Sequence, residues 1–354
     1  VLTVSVTHAG RVLHSSRSLP DGRIRGSDRL GVPDRLDVPV RLGVPDRLGV
    51  PGGPSSVARD LAARGAVAAA AAVTVLLWGS AFVAIRVALP ALGAPALSLS
   101  RLLLASLALV ALARVLRVGL PPRASLVRIL ACGAAGMTAY QVLLNTGEVD
   151  VPAGTASLLV GTAPLFASGL ARLALGERMT RRATVGMAVG FSGAAVIALG
   201  RGHGLRLDAG ALLVLGAAAA QAGFFVLQKP LLDRHSAAEV TCWSMVAGTL
   251  LALPLAGTLR AWAVPVTHGP RAAALLAVTF LALAASALGF TTWAYAQARL
   301  SVAAAAGTLY AVPVVAFTVG WLVLGEAPSP VTLIGGAIAL VGVVLSRGGR
   351  TRTP

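Results

Sequence analysis

Of 354 residues, 56% are hydrophobic and only 12% charged, with a mean hydropathy of +0.81. That is apolar mass for roughly ten spans of about 20 residues each, and it excludes a cytosolic enzyme or a secreted disulfide scaffold. The net charge of +17 does not indicate nucleic acid, because the arginines are scattered between apolar runs with no basic stripe and no stacking aromatics beside them.

The first 64 residues differ from everything after them. Asp28–Pro51 reads as four hexapeptides in series, DRLGVP, DRLDVP, VRLGVP and DRLGVP. A proline at every sixth position prevents a continuous helix, and so few repeats bury no core, so a disordered Arg/Asp/Pro-rich tail is expected over 1–64. The chain opens on Val1 and meets its first methionine at Met137; a non-AUG start, or a true start downstream near Val57, is the alternative reading of this tail. A peptide spanning the hexapeptides, found by mass spectrometry, would rule out the downstream start. The short apolar patches of 1–27 are interrupted by Arg and Ser and do not form a signal peptide.

From Ala66 onward apolar runs alternate with short breaks. The expected spans are 66–88, 95–113, 127–147, 151–175, 183–200, 209–229, 239–259, 272–296, 301–324 and 329–346. Each is long enough to cross about 30 Å of hydrocarbon as a helix, and their Ala/Gly/Leu/Val composition suits close helix packing. Basic residues select the orientation. With the N-terminus inside, the outer loops carry only Arg201, Arg206, Arg260 and Arg271, and the inner loops carry most of the others. This positive-inside bias puts both termini in the cytoplasm, and 347–354 forms a basic C-terminal tail.

The two halves repeat. Pro164 recurs 149 residues on as Pro313, Gly176-Glu177 as Gly325-Glu326, Gly186 as Gly335 and Gly193 as Gly342. At a shift of 143, Trp78-Gly-Ser-Ala-Phe-Val meets Gln221-Ala-Gly-Phe-Phe-Val, and Arg86 meets Lys229. Halves of 66–200 and 209–346 with five spans each, an odd number, must sit antiparallel. The expected fold is therefore an all-α integral membrane protein of ten transmembrane helices, arranged as two inverted five-helix repeats.

These residues also carry a resemblance. WGSAF in the first span, Arg101 after LSLS in the second, the Pro-to-LGE block of the fourth and the Gly-rich fifth resemble the drug/metabolite transporter superfamily. The similarity is to its ten-helix form built from two EamA-like domains, and it runs from about residue 70 to 346. It implies an inner-membrane exporter of small metabolites or amino-acid-like solutes working by alternating access. A non-transporting sensor or scaffold on the same fold is the alternative. The partners implied are a small-molecule solute and the lipid bilayer, with no nucleic acid; a homodimer is left open.

No catalytic motif, cofactor fingerprint or metal-ligand spacing occurs, and Cys132 and Cys242 lie far apart inside apolar runs. No enzyme, cofactor or metal is expected. The seven acids after residue 64 sit at or near span ends, so proton coupling lacks an obvious carrier unless the third span extends to include Glu148. Arg86 and Arg172 lie within two turns of span ends and are read as snorkelling to headgroups; Arg101 either does the same or faces the cavity as a carboxylate ligand. The other candidates for a solute cavity are Trp78, Phe82, Tyr140, Asn145, Gln221, Phe225, Trp293, Tyr295 and Tyr310. Such aromatic and amide groups suit a small amphipathic or zwitterionic solute. Pro164 and Pro313, expected mid-span, are hinge candidates; Glu177 and Glu326, closing the fourth span of each half, are gate candidates, with simple interfacial charge as the other reading.

Overall fold

The computed structural model describes residues 56–175, 181–199, 208–263, 271–300, 305 and 308–347. The hexapeptide tail, Glu177 and the residues after Arg347 lie outside them, as does the side chain of Arg172. Every regular element among the described residues is helical. Helix α1, Ser56–Val115, starts inside the stretch expected to be tail, because 57–72 is proline-free and alanine-rich and holds helix well. It is interrupted at Gly93, whose φ of +70° only glycine adopts readily, and which lies between Pro90 and Pro95. Residues 94–115 rise about 33 Å after the break, a full crossing.

Seven more helical stretches complete the run up to the last two. They are α2 (Arg123–Gly147), α3 (Ala153–Val160), α4 (Ala163–Leu175), α5 (Arg181–Leu199), α6 (Ala209–Leu232), α7 (Ala237–Trp262) and α8 (Arg271–Arg299). Helix α6 is capped by Asp208, whose Oδ1 accepts from Gly210 N at 2.9 Å, and α7 starts on a Ser236/Glu239 capping box. A 3-10 turn, Leu309–Ala311, leads into α9 (Val312–Leu324), which Gly325 ends with a left-handed φ of +67°; α10 is Pro330–Arg347. Among the described residues five helices are long and apolar enough to cross a membrane: Ala63–Val115 in α1, then α2, α6, α7 and α8. Shorter apolar helices cover Ala153–Ala167, Thr184–Ile197, Leu309–Leu324 and Pro330–Gly342.

The fourth span is broken rather than kinked. Residues Gly161 and Thr162 interrupt it, and α4 then starts at Ala163-Pro164; α9 starts at Val312-Pro313 after the 3-10 turn. Both prolines lie in the middle of their expected spans, 151–175 and 301–324, but each sits in the first turn of a helix rather than inside one. There a proline deletes no internal hydrogen bond, since the first N–H groups have no helical partner.

Two features recur at matching positions. Helix α2 relaxes to π-helix over Gly133–Ala139, and α8 does so over Phe280–Leu288. A shift of 149 carries 133–139 onto 282–288, within the second π segment. The second feature is the packing of α5 on α10, the most extensive helix–helix contact among the described residues. Gly193 faces Gly335 and Ala339, whereas Gly342 faces Gly186 and Gly190, so one number rises as the other falls and the two helices run antiparallel. A methyl added at Gly193 or Gly342 would meet backbone atoms of the other helix. Backbones in this contact approach as closely as small residues permit.

Polarity runs inward. Leu107 (67% exposed), Leu276 (71%) and Trp321 (63%) face outward, while Thr74, Ser98, Gln141, Asn145 and Ser286 are fully buried. A water-soluble bundle has the opposite distribution; a lipid-facing one has this.

Gly193→Leu is expected to destabilise the protein by about 1–3 kcal/mol or more, because the glycine seam cannot widen without parting α5 from α10. Gly223→Ala, whose added carbon comes no nearer than 3.9 Å to the Ala135 Cβ, is expected to change little. Thermal unfolding of both variants in detergent measures the difference.

Candidate functional site

The middle of the bundle is built where α1 is crossed by α2, α6 and α8. Trp78 and Phe82 come from the first arm of α1, Arg101 from the second, Tyr140 from just past the π segment of α2 and Gln221 from α6. Two small voids lie among them. One, of about 10 Å³, is lined by Trp78, Phe82, Arg101, Tyr140 and Phe290 among others. The other, of about 20 Å³, is lined by Trp78, Phe82, Tyr140, Pro164, Gln221 and Leu309 among others. Each holds about one water, so a larger solute requires the helices to part.

Charge and aromatics meet at these voids. Arg101 is 2% exposed, and its Nε donates to Ser286 Oγ at 2.7 Å. Ala285 lies in the π segment of α8, and Trp78 Nε1 donates to its carbonyl at 3.1 Å. Behind Trp78 an aromatic chain continues through Phe290 at 5.0 Å and Trp293 at 5.5 Å, and from Trp293 to Phe225 at 4.6 Å. Several buried polar atoms have no hydrogen-bond partner among the described residues: the Gln141 amide, Gln221 Oε1 and Trp293 Nε1. Buried polar groups are normally satisfied, and of these three only Gln221 lines a void.

The remaining candidates are placed elsewhere. Asn145 donates from Nδ2 to Ser98 Oγ at 2.8 Å, away from both voids. Tyr295 is half-buried on α8, with the Arg299 guanidinium 3.5 Å from its ring centre, and lines neither void. Tyr310 sits in the 3-10 turn between Leu309 and Val312, both of which line the larger void. Pro313 is buried at the start of α9.

A second cluster closes one end. Arg86 does not snorkel as expected. Its Nη1 donates to the carbonyls of Glu148 at 2.7 Å and Val149 at 2.9 Å, and its Nε to Glu326 Oε1 at 3.3 Å. The carbonyls at the end of α2 lack helical partners and carry the negative end of its dipole, which makes them a better berth than headgroups. Glu326 in turn accepts from Ala153 N at 2.9 Å through Oε2 and borders an open crevice of about 270 Å³ with Thr155, Phe317 and Ser329. Lys229, which matches Arg86 in the repeat, makes the matching contact: its Nζ donates to the Gln297 carbonyl at 3.2 Å, and Gln297 lies 149 residues after Glu148. Sequence reasoning undervalued Glu148 itself, which is fully buried. Its signal was present: Gln141, Asn145 and Glu148 follow i, i+4, i+7 spacing and form one polar helical face.

A helical bundle with an apolar exterior, a polar interior and several helices long enough to cross a bilayer is the build of an integral membrane protein. The EamA-like transporter family model matches residues 65–199 and again 208–348, and the chain belongs to that family. A probable terminal-alkyne amino-acid exporter of Streptantibioticus cattleyicolor is 50% identical over 275 residues, 77% of this chain and 90% of that protein. The uncharacterized inner membrane transporter YedA of Escherichia coli is 27% identical over 278 residues, 76% of this chain and 87% of its own. A solved crystal structure of 19% identity covers 80% of this chain and 97% of its own at a TM-score of 0.56, which shows the same fold. The protein is thus a multi-pass inner-membrane transporter.

Ser286→Ala removes the hydroxyl that Arg101 Nε reaches in a fully buried setting. A loss of about 1–3 kcal/mol is expected, as for other charge-assisted bonds. Thr318→Ala, at an exposed hydroxyl bonded only to its own helix at Val314 O, is expected to be near neutral. Unfolding temperatures of the two variants, compared side by side, check this.

Proposed function

We propose that the protein exports small amino-acid-like solutes by alternating access, through ten spans arranged as two antiparallel halves with both termini in the cytoplasm. The observation that carries the reading is the small void in the middle of the bundle, where one buried arginine faces aromatic walls. Arg101 offers a guanidinium to the solute carboxylate. Trp78, Phe82 and Tyr140 hold the solute's side chain, and the Gln221 amide oxygen accepts from its amine. The named activity of the Streptantibioticus relative supports the solute class. The repeated π segments, the antiparallel glycine seam and the matched Arg86 and Lys229 contacts support the two-fold arrangement. In this scheme α4 and α9, each freshly started at a proline after a break, are the elements that swing. The Arg86–Glu326 pair latches one mouth.

The test uses the full chain in proteoliposomes loaded with neutral amino acids, a terminal-alkyne amino acid such as propargylglycine among them. Flux of at least one of these above empty vesicles is expected, with a drop of about 10- to 100-fold in Arg101→Gln, the kinetic equivalent of one charge-assisted contact. Equal flux in Arg101→Gln removes Arg101 from the site. Absence of flux for every amino acid favours a non-transporting role on this fold.

A further inference from the structure

The two ends of the molecule are chemically unequal where the repeat makes them equivalent. Glu148 ends α2, and Gln297, 149 residues later, lies in the last turn of α8. Each gives its backbone carbonyl to the basic residue of the first helix of its half, Arg86 or Lys229. Both side chains are fully buried. Gln297 donates from Nε2 to the Phe225 carbonyl at 3.1 Å, whereas neither carboxyl oxygen of Glu148 has a hydrogen-bond partner among the described residues.

We propose that the Glu148 carboxyl is a proton-binding site that controls one mouth of the transporter only, its counterpart at the other mouth being the non-titratable Gln297. This rests on the antiparallel two-fold reading given above. An ionised carboxylate buried with no donor at either oxygen is costly; the neutral acid is far cheaper to bury, and its lone O–H needs a single acceptor. The closed arrangement therefore holds the proton. The charged and titratable groups around Glu148 define what its ionisation does. From α1 these are Arg86 and Arg101; from the segment after α9, Glu326; from its own helix, Tyr140; from the following turn, Asp150; and from the cap of α6, which packs against Gly147, Asp208. Arg86 is bound at once to the Glu148 backbone and to the Glu326 carboxylate. When the proton leaves to water at the mouth, the new carboxylate competes with Glu326 for the same guanidinium. Arg86 turns toward Glu148, Glu326 is released, and the latch beside the crevice loosens. Uptake of one proton from the same water reverses the step, so the charge balances with no other reactant. Gln297 has the shape and neutrality of a protonated glutamate and stays in that state whatever the pH.

Infrared pH-difference spectra of the full chain in lipid nanodiscs test this without any transported solute. The wild type is expected to show a protonated carboxylic acid C=O band that vanishes on alkalinisation, and Glu148→Gln is expected to lose it. Gln297→Glu is expected to add a second such band. A companion measurement follows thiol labelling of Pro328→Cys, a residue of the crevice beside Glu326. Labelling, expressed at each pH relative to the same thiol in the unfolded chain so that the thiol's own ionisation cancels, is expected to accelerate about tenfold with rising pH in the Glu148 background and to lose that dependence with Glu148→Gln. A band unaffected by Glu148→Gln, or labelling whose pH dependence survives it, overturns the proposal. No new band in Gln297→Glu overturns the asymmetry between the mouths. Should Glu148→Gln fail to accumulate, Glu148→Asp keeps the acid and is expected to shift the band; an unshifted band overturns the assignment equally. Failure of amino-acid flux alone bears on the exporter reading and leaves these spectra standing.

Discussion

Lipid tails are as apolar as leucine, so helices in a bilayer gain nothing by hiding apolar surface from one another. What brings them together is close backbone approach and the cost of leaving polar groups facing hydrocarbon. Both are visible in this protein. The α5–α10 contact consists of glycines that let two backbones touch. The interior is stitched by short hydroxyl bonds such as Ser106 to Thr249 at 2.7 Å and Thr74 to Thr292 at 2.8 Å. Large side chains that would build the core of a soluble protein, Leu107 and Leu276 among them, point outward.

The same constraint explains where the charges went. A guanidinium inside a bundle needs oxygen atoms, and helix ends and hydroxyls are the oxygens on offer. Arg86 takes the carbonyls at the end of α2, Lys229 takes one near the end of α8, and Arg101 takes the Ser286 hydroxyl. Each basic side chain thereby joins two helices that are distant in sequence. These cross-links lie at the centre and the ends of the bundle, the places where a transporter must open and close.

Much of this was legible in the residues. Hydropathy summed over about 20 positions located the apolar segments, and the recurrence of Pro, LGE and Gly marked the two halves, because both signals are local and repeated. Trp78, Phe82, Arg101, Tyr140 and Gln221 were named from side-chain chemistry together with the family resemblance, and each lines one or both voids. The failures share a cause. Arg86 was assigned to headgroups because sequence does not reveal which helix end it meets. Pro164 was read as lying inside one continuous helix because hydropathy runs straight through the break at Gly161 and Thr162. Tyr295 and Tyr140 are the same residue type on equally apolar helices, and only the rotation of each helix decides that one stacks on Arg299 while the other faces Arg101.

The closed centre has a thermodynamic consequence. A void of about 20 Å³ excludes anything larger than water, so solute binds only the fraction of molecules whose helices have already parted. Apparent affinity is the intrinsic affinity multiplied by that fraction, and a closed state favoured a hundredfold weakens it by about 2.7 kcal/mol. A carrier built this way holds its cargo loosely however well the opened site fits. The cost falls on capture, because few molecules stand open when a solute arrives, while departure from an opened site is set by the contacts in that site alone.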